Sequence, residues 1–267
     1  MIRRAAVAGY FYEGSKERLR FQVDDLIEKE AIKERIIGVV APHAGYMYSG
    51  KVAGALYSRI EFPDSFVILG PNHTGLGAGA AIMAYGVWET PLGEARIDTE
   101  LAQAILAHSQ TLEEDHVGHL KEHSIEVQLP FLQYFNLPFQ FVPICLFSHE
   151  YPVCQDVGRA VAEAITASQK SVVIVASSDF SHYVPHEVAK EKDMKAVEAI
   201  LALDPERLYK TVQRERISMC GFHPTTATLL AARALGATRA QLVRYMTSGD
   251  VTKEYDSVVG YAGLFMT

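Results

Sequence analysis

Ser171-Val-Val-Ile-Val-Ala176 runs directly into Ser177-Ser178-Asp179-Phe180-Ser181-His182. The first half reads as a buried strand: a short, β-branched apolar run with no polar alternation. The second half asks why such a strand should finish in two serines, an acid and a histidine. Turn chemistry accounts for Ser and Asp in any loop. It does not account for the loops at the ends of the other strands.

Other short apolar runs read the same way: Ile36–Ala41, Ser65–Gly70, Gln140–Ile144 and Val258–Leu264. Helical patterns lie between them, at Lys16–Lys29, Ser49–Ile60, Thr99–His108, Ser124–Phe135, Val153–Ser168, His186–Leu203 and Pro224–Ala234. Strands alternating with helices of this length predict βαβ units. The expected fold is α/β: a mostly parallel central sheet with helices on both faces. Ala80–Arg96 reads as extra strands or a hairpin turning at Pro91-Leu92-Gly93. No linker, repeat or low-complexity stretch divides the chain, so residues 1–267 are expected to form one domain.

In an open α/β sheet, ligands bind beyond the carboxyl ends of the strands. After Ile36–Ala41 comes Pro42-His43-Ala44-Gly45-Tyr46, and after Ser65–Gly70 comes Pro71-Asn72-His73-Thr74. With His182, three separate strands end in loops that carry a histidine. Parallel neighbours would bring these loops to one edge. Neutral imidazole is the commonest protein metal ligand, and a metal site draws its ligands from several elements. Pro42 and Pro71 stiffen the strand exits or simply stop the strands.

Two further stretches carry candidate chemistry. In Ser218-Met219-Cys220-Gly221-Phe222-His223-Pro224, Pro224 suits the first turn of a helix, which places Cys220 just ahead of a helix N-terminus. Such a position favours a thiolate, the metal-binding and nucleophilic form; a buried structural thiol is the plain alternative. In Lys121-Glu122-His123-Ser124-Ile125-Glu126, Ser124 or an earlier residue is a candidate helix cap. Glu122 and Glu126 share a face if both are helical. His123 is a ligand, a partner of a ligand or a capping residue, with the partner role preferred. Cys145 and Cys154 read as core. His108, His116, His119, His149 and His186 read as surface.

Composition limits the function classes. Basic residues number 25 against 32 acidic ones, a net charge of −7 without a basic cluster, so nucleic acid is not an expected partner. No apolar run reaches the ~18 residues of a membrane helix. Three cysteines without a CxxC pair argue against a disulfide framework. With no secretory signal evident near Arg3 and Arg4, a cytoplasmic location is expected.

Taken in order, Pro42–Tyr46, Gly70–His73, Glu122–Glu126, Ser177–His182 and Cys220-Gly221 with His223-Pro224 resemble the Memo family along nearly the whole chain. The resemblance implies a fold similar to class III extradiol dioxygenases, which are non-haem iron enzymes. It implies His43 and His73 as imidazole ligands and Cys220 where those enzymes place a glutamate. His182 would match the acid/base histidine or a further metal contact, with Asp179 beside it. Tyr46, Asn72, Glu122, His123 and His223 would support the ligands or line the pocket. Fe(II) is the metal implied first, with copper or zinc as alternatives, since a thiolate is softer than a carboxylate. Family members are linked to redox activity, in animals to phosphotyrosine signalling, and in bacteria and archaea to AMMECR-type and radical SAM proteins.

These residues support three expected functions. The first is a metal-dependent redox enzyme acting on a small, aromatic substrate, with Tyr46, Tyr48 and Phe180 lining the pocket, though Tyr48 suits the core better. The second is a peptide- or protein-binding module with a vestigial site, the histidines recognising an anion. The third is a hydrolase with Cys220 as nucleophile, His182 or His223 as base and Asp179 as orienter.

Overall fold

The apolar run preceding Ser178 is a strand at the middle of the sheet. The computed structural model describes residues 1–147 and 150–267, so His149 lies outside the described residues. The strands are β1 (Ile2–Arg3), β2 (Gly38–Ala41), β3 (Ser65–Pro71), β4 (Ala80–Ile82), β5 (Val87–Thr90), β6 (Gly93–Ile97), β7 (Glu113–Glu114), β8 (Gln140–Leu146), β9 (Val172–Ser177), β10 (His182–Val184), β11 (Ala240–Thr247) and β12 (Val258–Met266). The helices are α1 (Lys16–Leu26), α2 (Tyr46–Tyr57), α3 (Thr99–His108), α4 (Leu129–Tyr134), α5 (Tyr151–Ser168), α6 (His186–Leu201), α7 (Pro205–Glu215), α8 (Phe222–Ala234) and α9 (Gly249–Thr252).

The sheet order is β1-β5-β6-β8-β3-β9-β2-β12-β10. Its centre, β6-β8-β3-β9-β2, is parallel throughout. The margins are mixed: β1 pairs parallel with β5, β5 and β6 form the antiparallel hairpin expected around Pro91-Leu92, and β12 pairs antiparallel with β2, β10 and β11. Helices flank both faces. In β2 the alternation of side chains separates two apolar clusters, with Val39 and Ala41 in the larger and Val40 in the smaller.

The register sets the site. Ala41 of β2 pairs with Ser177 of β9, and Ala176 pairs with Leu69 of β3. These three parallel neighbours therefore end level, and their loops leave at one edge, as βαβ logic requires.

Several elements differ from the sequence reading. Ser124–Phe135 is not one helix. It is a loop, a 3₁₀ turn at Glu126–Gln128 and the short α4. Side chains take the backbone there: Ser124 N–H donates to Glu122 Oε1 at 2.8 Å, and Ser124 Oγ donates to the Pro71 carbonyl rather than capping a helix. Glu122 and Glu126 consequently share no helical face. α2 begins at Tyr46, three residues earlier than its apolar pattern, and α8 begins at Phe222 because Pro224 is tolerated in a first turn. α7 and β11 are additions to the elements expected from sequence. Asp204 caps α7 by accepting from Arg207 N–H, with Pro205 at its first position.

Candidate metal centre

Three loops and one irregular segment meet above the parallel strands. His43 follows β2, His73 follows β3, and His123 sits in the loop before the 3₁₀ turn. Each offers one ring nitrogen to a group whose ligand atoms all lie within 4.8 Å of one another. His73 and His123 stack at 4.7 Å between centroids, and His43 stands edge-on to both, at 5.2 and 5.5 Å. The sequence reading prefers His123 as a partner behind the ligands; the geometry brings it level with the other two.

Glu122 lies behind the cluster. It is buried, and its Oε1 stands 3.0 Å from His73 Nδ1 and 3.4 Å from His123 Nδ1. Its carboxylate also accepts the backbone N–H groups of His73, His123 and Ser124. Burial alone would raise its pKa, but these donors and the two imidazoles hold it down to about 2. An ionised carboxylate only accepts, so His73 donates through Nδ1 and turns a bare Nε2 outward. Burial pushes His43 well below the usual imidazole value and lowers His123 too, with the neighbouring imidazoles adding to the effect on both. Both are therefore neutral at pH 7, which is the ligating form.

Cys220 lies on the other side of His43, its Sγ 3.2 Å from Nε2. The expected thiolate is not favoured. Burial pushes the thiol up, and the Asp179 carboxylate adds to that, outweighing the N–H groups of Asp179 and Gly221. The imidazole beside the sulfur is His43. His223 is buried against Phe222 and Tyr209.

Asp179 and His182 serve different groups. Asp179 Oδ1 accepts the backbone N–H of His43 at 2.8 Å and of Ala44 at 3.3 Å. Burial raises its carboxyl to about 6 against those hydrogen bonds. His182 is held by Ser218: its N–H donates to Ser218 Oγ, and Nδ1 lies 2.8 Å from the Ser218 carbonyl. A carbonyl only accepts, so Nδ1 donates to it and Nε2 is the ring nitrogen left for the cleft.

A cleft of about 670 Å³ opens over His43, His73, His123, Asp179 and His182. Its aromatic walls are Tyr10, Phe11, Tyr48, Tyr183 and Tyr261. Among the described residues no lysine or arginine lines it; Glu254 is the carboxylate at its rim. Tyr48 therefore faces the cleft, whereas Tyr46 and Phe180 belong to the core. Tyr46 is 3% exposed and donates to the Val127 carbonyl, and Phe180 is fully buried. The helical phase that separates Tyr46 from Tyr48 leaves no mark in the sequence. Asn72 is buried and its side chain ties Thr74, Gly75 and Leu76 into a turn after His73. His119, read as surface, is fully buried against Trp88, and burial lowers it to about 4. His108 and His116 are exposed, while His186 is partly buried and bonded to Thr247.

Tyr10 and Phe11 join the site without any signal in the sequence. They reach it because the N-terminal segment is clasped from beneath. Arg3 is buried over Trp88, ion-paired with Glu126, and donates to the carbonyls of His119 and Glu122. Glu126 also accepts from Ala6 and Val7 N–H and from Tyr12 OH. Phe11 then packs on His123 at 4.7 Å. A buried arginine near a chain terminus leaves no periodic pattern. No helix among the described residues is long and apolar enough to cross a membrane.

Known proteins share this fold and sequence over nearly the whole chain. An uncharacterised protein of Escherichia coli K12 shares the fold, with a TM-score of 0.58 at 15% identity, over 87% of this chain and 100% of that one. A MEMO1 family protein of Methanothermobacter thermautotrophicus is 45% identical over 99% of this chain and 100% of its own. Another, of Methanopyrus kandleri, is 44% identical over 99% of this chain and 98% of its own. The family profile described as "Memo-like protein" matches residues 3–265. With its histidine-bearing loops at one sheet edge and these relatives across its whole length, the chain belongs to the Memo family.

Proposed function

We propose that this protein is a non-haem metal enzyme that carries out oxygen-linked redox chemistry on a small planar substrate. His43, His73 and His123 would hold the metal, with Cys220 beside His43. Fe(II) is the first choice, with copper or zinc as alternatives. The donor set fits such an ion: three imidazoles with ring nitrogens grouped within 4.8 Å, backed by a carboxylate. That convergence is the observation that carries the reading. Bound there, iron or copper supplies a Lewis-acidic centre able to exchange electrons with dioxygen.

The chain's own groups do the rest. His182 holds its proton on Nδ1 and accepts one from substrate at Nε2. Asp179 fixes the His43–Ala44 backbone. The tyrosine and phenylalanine walls take a planar ligand by stacking. The anion-binding alternative fits less well, because burial disfavours charge on His43 and His123 and no lysine or arginine lines the cleft among the described residues.

The test is oxygen uptake by Fe(II)-loaded protein over a panel of planar aromatic compounds. Uptake with one class of compound, reduced at least about 100-fold in His182→Gln at unchanged metal content, is the expected result. Uptake indifferent to His182, or none with any compound, contradicts it.

A further inference from the structure

Ser177, the last residue of β9, is tied to the candidate metal centre. Ser177 is fully buried. Its Oγ stands 2.9 Å from His43 Nδ1, 2.8 Å from Gln128 Nε2 and 2.6 Å from the Ser124 carbonyl. A hydroxyl has one proton to give. The Ser124 carbonyl can only accept, so a 2.6 Å contact holds that proton. Ser177 Oγ therefore accepts from both other neighbours.

The same logic fixes Gln128. One end of its amide lies 3.0 Å from the Pro42 carbonyl, which again only accepts. That end is the NH₂, so Oε1 faces the Tyr57 hydroxyl at 2.8 Å and accepts from it. The NH₂ donates to Pro42 O and to Ser177 Oγ. Each member is buried: Tyr57 and Gln128 are at most 1% exposed, and His43 is 2% exposed. The chain of donors has one direction, set by two backbone carbonyls.

We infer that Ser177, oriented by Gln128, is a positioning residue that locks His43 in the Nδ1–H tautomer and so presents a bare Nε2 to the metal. This rests on the proposed metal site, yet the tautomer is a property of the metal-free protein. Glu122 does the same for His73 with a charge; Ser177 does it for His43 without one. A neutral partner suits His43, which is nearly fully buried and has the Asp179 carboxylate 3.9 Å from Nε2. The Ser177 proton also ties β9 to the segment next to His123, and Ser124 Oγ ties that segment to the Pro71 carbonyl ahead of His73. One hydroxyl thus orients one imidazole and braces the backbone of a second.

The experiment is long-range ¹H–¹⁵N correlation on metal-free protein with ¹⁵N-labelled histidine, His43 being assigned by its absence in His43→Gln. The expected spectrum shows His43 protonated at Nδ1 in the parent and in Ser177→Thr, and a mixture or Nε2–H in Ser177→Ala. Titration with Zn(II) as the probe should then show Ser177→Ala weaker by about 10- to 100-fold, with Ser177→Thr restoring most of the loss. An Nε2–H tautomer in the parent overturns the inference. So does a Ser177→Ala protein with parental tautomer and affinity. A well-dispersed amide spectrum for each variant separates loss of the tautomer from loss of the fold. Absence of Zn(II) binding in a parent that is Nδ1–H contradicts the proposed metal site while leaving the tautomer lock intact.

Discussion

Glu122 grips His73 at two points: Oε2 accepts its backbone N–H at 2.5 Å, and Oε1 stands 3.0 Å from Nδ1. The same Oε1 stands 3.4 Å from Nδ1 of His123. One buried carboxylate thereby aligns two imidazoles, one of them 49 residues away along the chain. The chain uses an acid where the imidazoles are near solvent and a serine where the imidazole is buried. His73 is 35% exposed at its side chain and His43 only 2%.

Glu122→Gln is expected to weaken the fold in a pH-dependent way. The folded carboxyl titrates at about 2 against 4.5 for the ordinary group. A depressed folded pKa stabilises the fold above pH 4.5, and that contribution disappears as pH falls toward 2. The shift corresponds to a few kcal/mol, on the order of 3. Urea unfolding of parent and variant at about pH 7 and about pH 3 checks it: a gap near neutrality that narrows in acid is expected. A gap of equal size at both contradicts the assignment.

Cys220 is expected to be a sluggish nucleophile in metal-free protein. Burial and the Asp179 carboxylate both raise its pKa. Thiolate content falls tenfold for each unit of rise, so alkylation by iodoacetamide at about pH 7.5 should run at least about 10-fold slower than for a free thiol. Mass spectrometry of the Cys220 peptide over time measures it. A rate matching or exceeding the free thiol would revive the hydrolase reading.

Gly221→Ala is expected to damage both stability and the site. A Cβ there would come within 2.5 Å of Ser178 Cβ and closer still to the Ser177 carbonyl. The backbone φ of −99° is ordinary, so the constraint is close approach rather than conformation. Pushing the end of β9 away should cost ~1–3 kcal/mol and displace Ser177 from His43. Unfolding midpoints and Zn(II) affinity for the variant read the two effects. Parental values for both would show that the strand end is free to move.

The fold is legible in the sequence because buried parallel strands carry a dense apolar signal and end at polar loops. The meeting of the loops after β2, β3 and β9 follows from that alone. His123 is harder to place, because no strand precedes it and its segment is held by side chains instead of a regular ladder. The spacing of Glu122 and Glu126 mimics a helical face, yet the two point into separate networks: one holds the imidazoles, the other Arg3 and Tyr12. Ser177 is visible in the sequence but indistinguishable from a turn residue. Gln128 and Ser218 carry no sequence signal of their roles, since hydrogen-bond direction emerges only when the neighbouring carbonyls are placed.

The most direct test of the metal centre is elemental analysis of protein purified without oxygen or chelator, compared with His73→Ala. His73 is 35% exposed at its side chain, and a well-dispersed amide spectrum of the variant would show that the fold survives when Glu122 loses this partner. Near-stoichiometric iron or copper is predicted in the parent, with its loss in the variant. A parent that carries no metal and takes up none from Fe(II), Cu(I) or Zn(II), or a variant that binds as the parent does, would contradict the metal centre.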